Sequence, residues 1–150
     1  MFVLLRHAHA IGKQDWSGPD TDRPLSALGR DQASGLVDTL TGIELHVLYC
    51  SPTTRCLDTL APLAAGYRLP IQEHPLLAPD AAPGELCAAL DTLDLDGTLW
   101  CTHGEILAGL AACARADGTR PYPIGQTAKG GAWLLNAHAP LRYIDPVPPQ

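Results

Sequence analysis

Three short apolar runs constrain this chain more than any other feature: Phe2 to Arg6, His46 to Cys50 and Thr98 to Thr102. Each is five residues of strand-forming character, and none shows polar alternation. Such runs suit strands covered on both faces, as in a largely parallel sheet flanked by helices. The intervening segments carry helical spacing. Ser26 can cap a helix bearing Leu28, Ala33, Leu36, Val37 and Leu40, which Gly42 can end. Pro52 to Ala65, Pro83 to Leu93 and Glu105 to Arg115 also read as helices. Strands alternating with helices predict a three-layer α/β/α sandwich with a mostly parallel central sheet and right-handed crossovers. Gly131 to Asn136 and Leu141 to Asp145 read as a late hairpin or edge pair. Residues 10–25 contain Gly, Pro, Asp and Ser without periodicity and form a long loop, which in a compact domain is often functional.

A chain of 150 residues is expected to form one domain, assigned to residues 1–145, with 146–150 as a Pro-rich tail. Hydrophobic residues make up 46% and charged residues 17%, which supports a packed globule. The formal charge is −6, with ten basic residues against sixteen acidic ones. That balance argues against a nucleic-acid polymer as partner. The five cysteines are scattered without a C-x-x-C pair, so a zinc knuckle is not expected. No run is long enough for a membrane span, and the expected location is cytoplasmic.

Ligands of open α/β sheets bind beyond the carboxyl ends of the strands. The first run ends in Arg6-His7-Ala8-His9 and the second in Ser51-Pro52-Thr53-Thr54-Arg55. There Ser51 can cap a helix, with Pro52 in its first position. Arg55 would then lie in the first turn, beside amides that favour an anion. The third run ends in Thr102-His103-Gly104. Two arginines and two histidines at one rim of an acidic protein suit a phosphate. Two rival readings use the same residues. His7-Ala8-His9 is an H-x-H pair, which His103 and Asp80 can complete as a metal site. A phosphate-binding module without catalysis is the other. A cysteine phosphatase fails on register, since Cys50 to Arg55 is C-x4-R where C-x5-R is needed.

Leu5-Arg6-His7-Ala8, Cys50-Ser51-Pro52-x-x-Arg55 and Thr102-His103-Gly104 resemble the three signature blocks of the histidine phosphatase superfamily, also called phosphoglycerate-mutase-like. Arg23-Pro24-Leu25-Ser26-x-x-Gly29 and Leu76-Leu77-Ala78-Pro79 are similar to its short SixA-type members. Asp117-Gly118 through Lys129-Gly130-Gly131-Ala132-Trp133 is similar to the phosphatase domain that follows a Nudix hydrolase in some actinobacterial proteins. The resemblance implies that His7 is the nucleophile, that Arg6 and Arg55 bind the phosphoryl oxygens, and that His103 donates to them. It implies no metal and no cofactor. Many members place a Glu where this chain has Pro79, with Asp80 beside it. Asp80 and Glu105 are the candidate acids, and His9, Arg23, Ser51 and Lys129 the candidate substrate contacts. Without a dedicated acid, leaving groups that need little protonation are favoured. The implied partner is a phosphorylated small molecule, such as a nucleoside polyphosphate, or a phosphohistidine protein.

Overall fold

The computed structural model describes residues 1–117, 122, 125–137 and 140–149, with the side chains of 115–117 not described. Part of the Nudix-linked resemblance (118–121 and 123–124) therefore lies outside the described residues, as does Gln150 of the tail. The order is β1 (Phe2–Arg6), α1 (Ala27–Thr39), β2 (Val47–Cys50), α2 (Thr54–Tyr67), β3 (Ile71–Glu73), α3 (Pro83–Leu90), β4 (Thr98–Thr102), α4 (Gly104–Asp117), β5 (Ala132–Leu135) and β6 (Pro140–Ile144). One six-stranded sheet runs β3-β2-β4-β1-β5-β6. Its first four strands pair in parallel, and β5 and β6 close the far side antiparallel. The mixed α/β sandwich read from the apolar runs is present.

Successive side chains of a strand face opposite sides, and β1 uses this fully. Val3 and Leu5 enter the core beneath α1 and α2, with Leu36, Leu40, Leu60 and Leu63. Phe2 and Leu4 enter the core beneath α3 and α4, with Leu86, Leu90, Ile106 and Leu110. Burying both faces of one strand between two helical layers explains why the run is apolar without alternation.

The structure departs from the sequence reading in three places. β3 was not expected: Ile71-Gln72-Glu73 is short, half-exposed and polar, and pairing with β2 alone makes it a strand. α2 begins at Thr54 with Thr53 as its N-cap residue, not Ser51, and Thr53 makes no side-chain cap hydrogen bond. The loop over residues 10–25 holds two 3-10 turns, Lys13–Asp15 and Asp20–Asp22, and is pinned at its ends by an antiparallel bridge between Ala10 and Leu25. Residues 146–149 have no regular structure, yet Pro146 is buried and Gln32 Nε2 on α1 donates to Pro148 O at 3.2 Å.

Candidate functional site

The carboxyl ends of β1, β2 and β4 lie side by side because these three strands are adjacent and parallel. Above them is a cavity of about 420 Å³. Its floor carries Arg6, His7, Arg55 and His103, from three separate strand ends. His9 and Arg23 join them from the long loop, Glu105 from the start of α4, and Lys129 from the turn before β5. Pro79 forms part of the wall. Asp80 is exposed and is not among the lining residues, so the structure does not bring that candidate acid to the site.

His7 is 6% exposed. Its backbone N donates to Thr102 O at 3.0 Å, and Gly130 N donates to His7 O at 3.0 Å, so β4 and the approach to β5 clasp it. Ring Nδ1 lies 2.8 Å from Ala8 O. A carbonyl only accepts, so Nδ1 carries the hydrogen and Nε2 keeps its electron pair. Burial is the main cause that holds His7 down at about 4, outweighing the nearby Cys56 sulfur and the Ala8 hydrogen bond, and His103 and Arg55 add to it. The ring is therefore neutral at physiological pH.

His103, 1% exposed, meets His7 edge to face at 5.1 Å between ring centroids. Arg55 Nη2 donates toward its Nδ1 at 3.4 Å, which leaves Nε2–H to donate to Ser51 Oγ at 2.8 Å. Ser51 Oγ also lies 3.3 Å from Thr53 Oγ1. Ser51 is fully buried and does not line the cavity, which corrects both of its expected roles: it holds His103. With its N–H engaged there, His103 donates to a ligand only with a second proton, on Nδ1.

Arg6 Nη1 donates to Thr127 O at 2.7 Å. Its guanidinium passes so close to Gly104 that a Cβ there would sit 2.8 Å from Cζ. A side chain at the start of α4 would displace the arginine that crosses it. Arg55, 3% exposed, donates from Nη1 to Asp20 O at 2.8 Å and from Nη2 to Asp20 Oδ2 at 3.2 Å. The Nε atoms of Arg6 and Arg55 are buried without a partner among the described residues. Buried cationic donors left unpaired are costly.

Asp20 is a site residue the sequence reading missed. Its carboxylate bridges Arg55 and Arg23, with Arg23 Nε at 3.0 Å from Oδ1. Partial burial pushes its carboxyl up, but the Arg23 hydrogen bond and the Arg55 charge outweigh this and hold it below the usual range. Arg23 Nη1 also donates to Ile11 O at 2.8 Å, tying the loop to itself. Thr59 was missed as well. It accepts from Ala8 N at 2.9 Å and donates to Arg55 O at 2.7 Å, joining the turn after His7 to α2. Nothing in the local pattern of either residue signals these long-range contacts.

His9 lines the cavity, but its Nδ1 lies 2.6 Å from Ser26 Oγ. With His7 Nδ1 on a carbonyl and both ring nitrogens of His103 engaged, these histidines do not form the ligand set of the metal reading. Among the described residues no group of three or more His, Cys, Asp or Glu is arranged to hold a metal ion. Among them, too, no helix is long and apolar enough to cross a membrane.

Comparison with known proteins agrees with this geometry. An "8-oxo-(d)GTP phosphatase" of Mycolicibacterium smegmatis is 33% identical over 141 residues, covering 89% of this chain. The chain spans only 43% of that relative's length. The structure of the protein histidine phosphatase SixA complexed with tungstate superposes with a TM-score of 0.78 at 21% identity, over 98% of this chain and 97% of the other. A mycobacterial glucosyl-3-phosphoglycerate phosphatase superposes at 0.61 with 18% identity, over 88% and 87% of the two chains. At those identities the likeness is one of fold. The profile of the histidine phosphatase superfamily (branch 1) matches residues 2–79, more than half the chain and the part that carries His7 and Arg55. The chain belongs to the histidine phosphatase superfamily.

Proposed function

We propose that this chain is a phosphatase that passes a phosphoryl group through His7. The observation that carries the reading is a buried, neutral histidine with a free Nε2 electron pair, lining one cavity with the guanidinium-bearing residues Arg6 and Arg55. Nε2 attacks phosphorus, the bond from phosphorus to the leaving group breaks, and its electron pair departs with the leaving group. Arg6 and Arg55 hold the equatorial oxygens, with fork geometry that a lysine does not supply. His103, held through Nε2 by Ser51, stabilises the developing charge when Nδ1 also carries a proton. Water then attacks the phosphohistidine, releasing inorganic phosphate and restoring Nε2.

The wall residue Pro79 supports a leaving group that needs little acid help. Glu105 is the carboxylate at the rim that remains a candidate donor. The proposed substrates are a phosphohistidine protein or a nucleoside polyphosphate, the second in keeping with the curated relative's name. The test is a substrate panel of a phosphohistidine protein, nucleoside di- and triphosphates and sugar phosphates, run with His7→Ala alongside. The variant is expected to lose turnover on every member. Full turnover by the variant refutes the mechanism, and turnover of sugar phosphates alone refutes the leaving-group argument.

A further inference from the structure

The chain has only ten basic residues, and five of them line the one cavity just described: Arg6, Lys13, Arg23, Arg55 and Lys129. Among the described residues only two carboxylates, Asp20 and Glu105, face them there. The lining thus holds a formal excess of three positive charges inside a protein of net charge −6. A single phosphoryl group carries a charge of about −2. Arg6 and Arg55, with His103, are sufficient for it.

The remaining cations form an outer tier. Lys13 is exposed on the 3-10 turn Lys13–Asp15, and Arg23 and Lys129 are half-buried. Burial, then the charges of Arg6 and Arg23, hold the Lys129 ammonium below the ordinary lysine range. Like charges gathered at that cost favour the entry of an anion. Arg23 of the outer tier and Arg55 of the inner one are also spaced one carboxylate apart. The Asp20 carboxylate alone spans them, 3.2 Å from Arg55 Nη2 and 3.0 Å from Arg23 Nε.

We infer that Lys13, Arg23 and Lys129 form an outer oxyanion subsite that takes the phosphate adjoining the transferred phosphoryl group, so that the substrate is a terminal phosphoanhydride of the nucleoside diphosphate kind. The inference rests on the phosphatase reading and narrows it. In the transfer, the bond between the terminal phosphorus and the bridging oxygen breaks. That oxygen keeps the electron pair and leaves as part of the inner phosphate, held by the outer cations. A phosphate leaving group, with its second ionisation near ~6, needs no donated proton at neutral pH. This accounts for a proline at the wall where an acid would otherwise be required.

The experiment compares kcat/KM for ADP, p-nitrophenyl phosphate and a phosphohistidine protein in the wild-type chain, Lys13→Ala, Lys129→Ala and the double variant, with His7→Ala as the control. Each single variant is expected to lose about tenfold on ADP, the scale of one charge-assisted contact. The double variant's loss on ADP should exceed its loss on the monoester by at least tenfold. Methylenebisphosphonate should inhibit the wild type more tightly than orthophosphate, and the double variant should narrow that gap. Equal losses on the two substrates overturn the subsite. So does a larger loss on a phosphohistidine protein than on ADP, which would make the outer cations a protein-docking rim. Turnover that survives in His7→Ala overturns the phosphatase reading itself, and is read independently of the lysine variants.

Discussion

Burial of His7 has a measurable thermodynamic consequence. An exposed histidine titrates near ~6.5, whereas His7 in the fold is held at about 4. Its folded value is depressed, so protonation favours the unfolded chain. The stabilisation is full above the unfolded value and is lost as pH falls from there toward the folded one. With these two values, linkage gives a loss of about 2 kcal/mol between pH 7.5 and pH 5 from this side chain alone. The assay is urea unfolding at both pH values for the wild type and for His7→Asn, which cannot gain the proton. The wild type is expected to lose about 2 kcal/mol more than the variant over this interval. In parallel, the His7 ring nitrogens followed by NMR should show Nδ1 protonated and Nε2 bare at pH 6. Equal pH dependence of the two proteins, or a His7 titration between pH 6 and 7, would refute the argument from burial.

Three further perturbations follow from the contacts. Ser51→Ala leaves the buried His103 N–H without its acceptor and should destabilise the fold by roughly 1–3 kcal/mol. It should lower kcat more than it raises KM, whereas Ser51→Thr should restore part of the loss. Gly104→Ala places a methyl group against the Arg6 guanidinium, and kcat/KM should fall by about 10²-fold, the scale of a misplaced binding group, with the far-ultraviolet circular dichroism unchanged. Asp20→Asn removes the charge that links Arg55 to Arg23. A depressed carboxyl stabilises above its unfolded value and loses this effect as pH falls through the folded one. The variant should therefore flatten the acid limb of the stability curve below about pH 4.

The parts of the fold that were legible in the sequence are those set by burial along one element. Phe2 to Leu5 announces a two-faced strand because each side chain enters one of two cores. Arg6, His7, Arg55 and His103 were legible as a set because strand-end polarity and three signature blocks coincide, and the cavity brings all four together. Ser51 misled the reading because Ser-Pro before a helical segment normally marks a cap. Here the chain makes one more turn, and the hydroxyl faces β4 instead, where His103 takes it. Asp20 and Lys13 were illegible for a related reason. They sit in an aperiodic loop, and only the path of that loop brings Asp20 to Arg55 and Arg23 and Lys13 to the cavity. Asp80 shows the reverse error, since adjacency to Pro79 in sequence did not carry its side chain to the cavity.

The central claim is that phosphorus passes through His7, and trapping the intermediate tests it most directly. The chain is mixed briefly with a ³²P-labelled phosphoanhydride and quenched in alkali, which preserves a phosphohistidine. Label retention and the modified peptide are then read by mass spectrometry. The account predicts an acid-labile, alkali-stable label on the peptide containing His7, formed as fast as turnover and absent in His7→Ala. A label on any other residue, or turnover at the full rate with no covalent phosphoryl species, would contradict it.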